Sequence, residues 1–239
     1  MKHLLKLSDW SKADILETLN LADQLKYEQK HGIAHPHLAG KTLGMIFQKS
    51  STRTRVSFET GMYQLGGQAL FLSSRDLQIG RGEPVQDTAR VLSRYLDGIM
   101  IRTFAQKEVE DLAKYGSIPV INGLTDYCHP CQILADLMTI REHKGSLEGH
   151  KLCYIGDGNN MANSYIVGGL TVGMKVSIAC PDNYRPDPFV LDFAKAYGEN
   201  FSISSNILEM AAGADVVCTD VWASMGQEGE AELRREAFA

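Results

Sequence analysis

From Thr42 onward, short apolar runs alternate with longer amphipathic stretches, and that alternation restricts the chain to a narrow set of folds. Strand-like runs fall at 42–47, 68–72, 98–101, 119–122, 151–155, 175–180 and 216–219. Helical spacing lies between most of them, for example at 55–65, 85–95, 130–143, 163–172 and 188–197. Parallel strands need a crossover of a dozen or more residues, usually a helix, so this repeat implies parallel sheets covered on both faces. The polar, glycine-containing stretch 145–149 separates a long helical pattern from a fresh strand. It predicts two doubly wound α/β domains, 1–145 and 146–239. Ligand sites in such sheets lie beyond the carboxyl ends of strands, so an active site is expected in the cleft between the two domains. Ahead of the repeat, Ser8 is placed to cap a helix over 9–30 with Trp10, Ile15, Leu19 and Leu25 on its apolar face.

Several function classes are set aside at this point. A net charge of −5 argues against general nucleic-acid binding, which leans on a basic surface. No apolar run approaches the roughly 18 residues that span a bilayer, and Lys6 and Asp9 interrupt the apolar start too early for a signal peptide. Five cysteines in apolar contexts suggest reduced thiols in a cytoplasmic protein.

The segment Gln48-Lys49-Ser50-Ser51-Thr52-Arg53-Thr54-Arg55 follows a strand and opens a helix. Unpaired backbone N–H groups at a helix start favour an anion, and hydroxyls with two guanidinium groups add donors whose geometry suits phosphate. A set of N-capping hydroxyls with solvent-facing arginines is the plainer alternative. Gly40-Lys41-Thr42 resembles the end of a P-loop, but His35 stands where the first glycine is needed and the triplet precedes a strand. His31, His35 and His37 lack acidic or cysteine companions, so no metal is expected there.

Cys128-His129-Pro130-Cys131-Gln132 follows the strand at 119–122, with Pro130 suited to a first helical position. A neutral His129 and the Gln132 amide there could grip a carbonyl oxygen and an amide. A lone C-x-x-C is weak support for redox chemistry or zinc. Arg102 ends another strand-like run and is a second cation for the same end of the sheet. In the second half, Gly156-Asp157-Gly158-Asn159-Asn160-Met161 mimics a dinucleotide loop, with Asp182 after the next strand. Met161 replaces the third glycine, and paired asparagines suit an amino acid's carboxylate better, which leaves a nicotinamide enzyme as the second reading. Asp220 follows the strand at 216–219 and can pair with an ammonium or serve as a structural N-cap; Ser224-Met225-Gly226 offers backbone donors in a loop.

Taken in order, Ser51-Thr52-Arg53-Thr54-Arg55, Arg102, His129-Pro130-x-Gln132, Gly156-Asp157-Gly158-Asn159-Asn160 and Asp220-x-Trp222-x-Ser224-Met225-Gly226 resemble the ornithine carbamoyltransferases. The resemblance implies that Ser51, Thr52, Arg53 and Thr54 hold the phosphate of carbamoyl phosphate. Arg102, His129 and Thr54 would polarise the carbonyl, and Gln132 would orient the carbamoyl amine. Gln78 is similar to the residue that the family inserts into a neighbouring subunit's site, which implies a homotrimer. Asn160, Asp220, Ser224 and Met225 would hold ornithine's α-carboxylate and α-ammonium. The implied reaction gives citrulline and phosphate without a metal or cofactor. The family's His-Cys-Leu-Pro motif is missing: no histidine follows His150, and the chain stops in a helix-like run, 230–239. The expectation is a shortened chain with an incomplete ornithine site. Two alternatives remain at this stage: a carbamoyltransferase for another amine such as putrescine or an acylated ornithine, and a homologue that binds carbamoyl phosphate without turnover.

Overall fold

A computed structural model describes residues 2–221 and 238, so Trp222, Ser224, Met225 and the run 230–237 lie outside the described residues. The element order is α1 (Lys12–Lys30), β1 (Thr42–Phe47), α2 (Thr52–Gln64), β2 (Gln68–Ser73), α3 (Val85–Leu92), β3 (Gly98–Arg102), α4 (Gln106–Tyr115) and β4 (Val120–Leu124). It continues with α5 (Pro130–Lys144), β5 (Lys151–Ile155), α6 (Asn160–Thr171), β6 (Lys175–Ala179), α7 (Pro188–Lys195), β7 (Phe201–Ser204), α8 (Ile207–Ala211) and β8 (Val216–Thr219). The strands form two four-stranded sheets, ordered β2-β1-β3-β4 and β7-β6-β5-β8. Every strand pair in both is parallel. The expected α/β class with two doubly wound parallel sheets is therefore what the chain forms.

Alternation along β1 explains how both faces of the first sheet are covered. Ile46 points to one face with Ile99, Ile101 and Val120, packed by Ala89 of α3 and by Val109 and Leu112 of α4. Met45 and Phe47 point to the other with Met100, packed by Met62 of α2. Successive side chains of a strand face opposite ways, so a doubly covered strand reads as an unbroken apolar run. In the second sheet, α6 is buried along almost its whole length, from Asn160 to Leu170. A helix buried on every side is a core helix, and its polar residues Asn163 and Ser164 are hydrogen-bonded there.

Local chemistry moved several boundaries. The first helix begins three residues later than Ser8 implied, because Ser8 sits in a 3₁₀ turn over Leu7–Asp9. Ser11 and Asp14 supply the start instead: the Asp14 N–H donates to Ser11 Oγ at 3.2 Å, and the Ser11 N–H donates to Asp14 Oδ2 at 2.9 Å. This reciprocal exchange satisfies two otherwise orphaned donors. Helices α2 and α6 begin three residues earlier than the apolar spacing indicates, since polar residues open them, Thr52-Arg53-Thr54 in α2 and Asn160 in α6. The edge strand β7, Phe-Ser-Ile-Ser, pairs only with β6 and is too short and too polar to stand out in the sequence. Gly145 ends α5 in a left-handed conformation with φ 79°, a backbone state open to glycine.

By packing, the chain divides into two compact units, residues 1–9 with 17–126, and residues 10–16 with 127–239. The second includes α5, which packs on α6. Among the described residues, no helix is long and apolar enough to cross a membrane.

Candidate active site

Strand order decides where a site can lie. In the first sheet, β1 leads through α2 to β2 on one side, and β3 leads through α4 to β4 on the other. The loops after β1 and β3 therefore diverge and leave a crevice at the carboxyl ends of two adjacent strands, the topological switch point. Phe47 pairs with Arg102 in register, so the segment 48–54 and Arg102 flank that crevice. The second sheet repeats the device. β5 leads through α6 to β6, while β8 lies on the other flank, with Ile155 level with Thr219. The segment 156–160 and Asp220 follow those two strand ends.

Ser51 is the N-cap of α2: its Oγ accepts from the Thr54 N–H at 3.2 Å and donates to Thr54 Oγ1 at 3.0 Å. That places Thr52, Arg53 and Thr54 in the first helical turn, where N–H groups lack intrahelical partners and attract anions. The loop is tied to β3, since the Gln48 N–H donates to the Arg102 carbonyl at 2.9 Å. The β3–β4 register shifts between Ile101 and Arg102, an irregularity of the kind that re-aims a side chain. Arg102 is only 6% exposed, and its Nε is buried with no hydrogen-bond partner. Burial, and next the nearby Arg53 charge, hold its guanidinium below the usual arginine range. Among the described residues neither arginine has an acidic partner. Two close cations without a carboxylate, beside a helix start, form a site that is electrostatically complete only with an anion.

Of the loop's two arginines, Arg55 is engaged with its own helix and with β2. Arg55 Nε donates to Glu59 Oε1 at 2.9 Å, and its guanidinium lies 3.8 Å from the centre of the Phe71 ring. Lys49, which the sequence reading passed over, is 6% exposed, ion-paired with Asp126 and 4.4 Å from the centre of the Phe104 ring. Nothing local signals that pairing, since 77 residues separate the partners. Gln78 opens a 3₁₀ turn, Gln78–Arg81, that ends at a left-handed Gly82 with φ 94°.

In the second unit, His129 is the N-cap of α5, with Pro130 in the first helical turn as expected. Its N–H donates to Ser164 Oγ at 2.8 Å, and that hydroxyl donates to the Asn160 carbonyl at 2.6 Å. The Asn163 amide donates to the Tyr127 carbonyl at 3.0 Å, so α6 holds the 127–129 turn at two points. Gln132 is exposed one turn along α5. The paired asparagines divide their labour. Asn159 caps α6, accepting from the Met161 N–H at 2.9 Å and the Ala162 N–H at 3.4 Å, so it is structural. Asn160 is the first helical residue and is 9% exposed. At Gly158 an added Cβ would lie 2.3 Å from backbone atoms of Arg185 and Pro186, so this glycine serves close chain packing. Asp220 Oδ1 accepts from the N–H of its neighbour Val221 at 2.8 Å. Ser224 and Met225 lie outside the described residues.

No disulfide joins the cysteines, Cys128 and Cys131 included. A cavity of about 600 Å³ in the first unit is lined by Leu38, Leu43, Phe58, Met62 and Ile121. It opens beside Thr42 and Gly98, where β1 and β3 begin, so it lies at the opposite end of these strands from Arg102.

A hydroxyl-rich helix start and a buried arginine at a switch point form a pocket edge suited to a small anion, the class of protein in which the comparisons are read. Residues 2–142 match the family model for the carbamoyl-P binding domain of aspartate/ornithine carbamoyltransferase, and residues 148–239 match the Asp/Orn binding domain. The chain belongs to the aspartate/ornithine carbamoyltransferase family. It is 58% identical to an ornithine carbamoyltransferase of Oceanobacillus iheyensis, over 99% of this chain and 75% of that protein. It is 56% identical to one of Syntrophotalea carbinolica, over 100% of this chain and 79% of that protein. Its structure is similar to that of the ornithine carbamoyltransferase of Pyrococcus furiosus, with a TM-score of 0.94 and 52% identity over 99% of this chain and 77% of that one.

Proposed function

We infer that this chain transfers the carbamoyl group of carbamoyl phosphate to the side-chain amine of L-ornithine, giving citrulline and phosphate. The observation that carries the reading is the Arg53–Arg102 pair at the switch point of the first sheet, without an acidic partner among the described residues. The match to both family models and to relatives named ornithine carbamoyltransferase supports the donor and the acceptor.

Each group then has a role that its chemistry suits. Ser51, Thr52, Arg53 and Thr54 bind the phosphate through hydroxyls, guanidinium and the N–H groups that begin α2. Arg102, His129 and Thr54 polarise the carbonyl, and the Gln132 amide takes the carbamoyl amine. Asn160 and Asp220 hold the α-carboxylate and α-ammonium of ornithine, together with Ser224 and Met225. The neutral side-chain amine attacks the carbonyl carbon, the C–O bond to phosphate breaks, and the amine's proton is lost as phosphate leaves. Negative charge grows first on the carbonyl oxygen and then on phosphate, so fixed cations and N–H donors stabilise the transition state more than the substrates. These residues perform the transfer without a metal or cofactor. Residues 1–145 serve the donor and 146–239 the acceptor. Gln78 acts in a neighbouring subunit's site, which makes the protein a homotrimer; cysteines outside any disulfide suit a cytoplasmic setting.

The test is citrulline formation from carbamoyl phosphate and ornithine, with Arg53→Ala as control and putrescine as a competing acceptor. Turnover with ornithine that disappears in the control is expected. Preference for putrescine would overturn the acceptor, and absence of carbamoyl phosphate binding would overturn the whole reading.

A further inference from the structure

Gln132 lies one turn before Asp136 on α5, and its Nε2 donates to Asp136 Oδ1 at 2.9 Å. The other oxygen of the same carboxylate, Oδ2, accepts from the Tyr165 hydroxyl at 2.7 Å. Tyr165 comes from α6 and is only 6% exposed. Its ring lies 5.5 Å from that of Tyr154, which is completely buried. Burial first, and with it the Asp136 carboxylate, push the Tyr165 hydroxyl well above the ordinary tyrosine range, so it remains a donor. A lone exposed i,i+4 pair on a helix would mean little. Here a core tyrosine fixes the carboxylate from behind, and the carboxylate fixes the amide in front of it.

We propose that Asp136, clamped by Tyr165, is a positioning residue that sets which end of the Gln132 amide faces the substrate. A glutamine amide has one accepting end and one donating end of almost the same shape. With Nε2 held by an ionised carboxylate, a charge-assisted bond, the accepting Oε1 is left outward. That oxygen carries no hydrogen bond among the described residues. The carbamoyl amine of carbamoyl phosphate is a donor, so it meets an acceptor. A flipped amide would set N–H against N–H and leave both unsatisfied where substrate has displaced the water, which is the costly case for polar groups. The clamp thus selects a donor substrate that carries –NH₂ over an acyl phosphate that carries a methyl group at the same place. This rests on the reading of Gln132 as the carbamoyl-amine contact.

The experiment compares carbamoyl phosphate with acetyl phosphate, which has a methyl group in place of the amine, by direct binding to the full chain and by kcat and KM for carbamoyl phosphate. Asp136→Ala is expected to lose about tenfold in the preference for carbamoyl phosphate, the cost of one misplaced hydrogen bond. Acetyl phosphate affinity should stay near the wild-type value. Asp136→Asn should restore most of the preference, because its amide oxygen still accepts from Nε2 while its N–H₂ meets the Tyr165 oxygen. Tyr165→Phe keeps the carboxylate but frees it to rotate, and a partial loss is expected; this variant carries the test if Asp136→Ala fails to fold. Equal weakening of both acyl phosphates, or an unchanged preference in both variants, would overturn the positioning role. Wild-type chain that binds neither compound would instead overturn the carbamoyl phosphate site itself.

Discussion

Arg102 shows at the scale of one residue how function and stability pull apart. A guanidinium that is 6% exposed, with a buried Nε lacking a partner, has lost solvation without gaining an ion pair among the described residues. Taking a charge out of water costs several kcal/mol unless a partner repays it, and replacing such a group by an apolar one of similar volume is often neutral or stabilising. Arg102→Met should therefore raise the thermal midpoint, or leave it unchanged, while kcat/KM for citrulline formation falls by about 10²–10³, the range for removing one oxyanion donor. Thermal unfolding and initial rates on the same preparation check both halves; a lower midpoint would contradict the account. Two buried thiols give a second case. Burial pushes the Cys131 thiol up to about 12 and the Cys180 thiol up to about 11. The folded values exceed the ordinary thiol value of about 8.5, so the folded state favours the protonated forms. The stability they contribute is complete below about pH 8.5 and is lost as pH rises toward the folded values. Iodoacetamide labelling at pH 8 should accordingly be slow at Cys131 and Cys180 in the native protein and fast after unfolding. Rapid native labelling would show that the thiolate is accessible.

At the scale of elements, polar side chains start the helices, and that is why apolar spacing misplaces their beginnings. Asn159 holds two N–H groups at the head of α6, while Asn160 stands one residue further on. Asn159→Ala should cost about 1 kcal/mol of stability, as for other lost N-caps, with little change in KM for carbamoyl phosphate. Chemical denaturation beside steady-state kinetics would separate this from a substrate contact. Gly158→Ala meets backbone at 2.3 Å, and backbone cannot step aside as a flexible side-chain end can. A loss of about 1–3 kcal/mol is expected from that overpacking. A stability equal to wild type would mean that the 184–186 segment yields more easily than its hydrogen bond to Gly158 implies.

At the scale of the whole molecule, the proposed homotrimer makes a sharp prediction about mixtures. If Gln78 acts in a neighbour's site, a chain with Gln78→Ala and a chain with Arg53→Ala are defective in different halves of each shared site. Refolded together, they should form some sites that draw an intact Gln78 and an intact Arg53 from different chains. The mixture should show more citrulline formation than the sum of the two variants alone. Additive activity would place Gln78 within its own subunit's site.

The local pattern was enough to define the β/α repeat, the parallel sheets, and most strands to within a residue or two, because side-chain period and burial are properties of neighbouring positions. It also exposed the chemistry of 51–54, whose hydroxyls and arginine are crowded into four consecutive residues. Strand order was not legible. Nothing within β1 or β3 states that they are neighbours whose connections diverge, yet that adjacency sets Arg102 beside the 51–54 loop. Which arginine is free was equally hidden: Arg53 and Arg55 read alike, and only Glu59 and Phe71 remove the second from service. The same holds for Lys49 with Asp126 and for Tyr165 with Asp136, pairs 77 and 29 residues apart. Periodicity reports which face a residue presents, whereas packing of distant segments decides what that face meets.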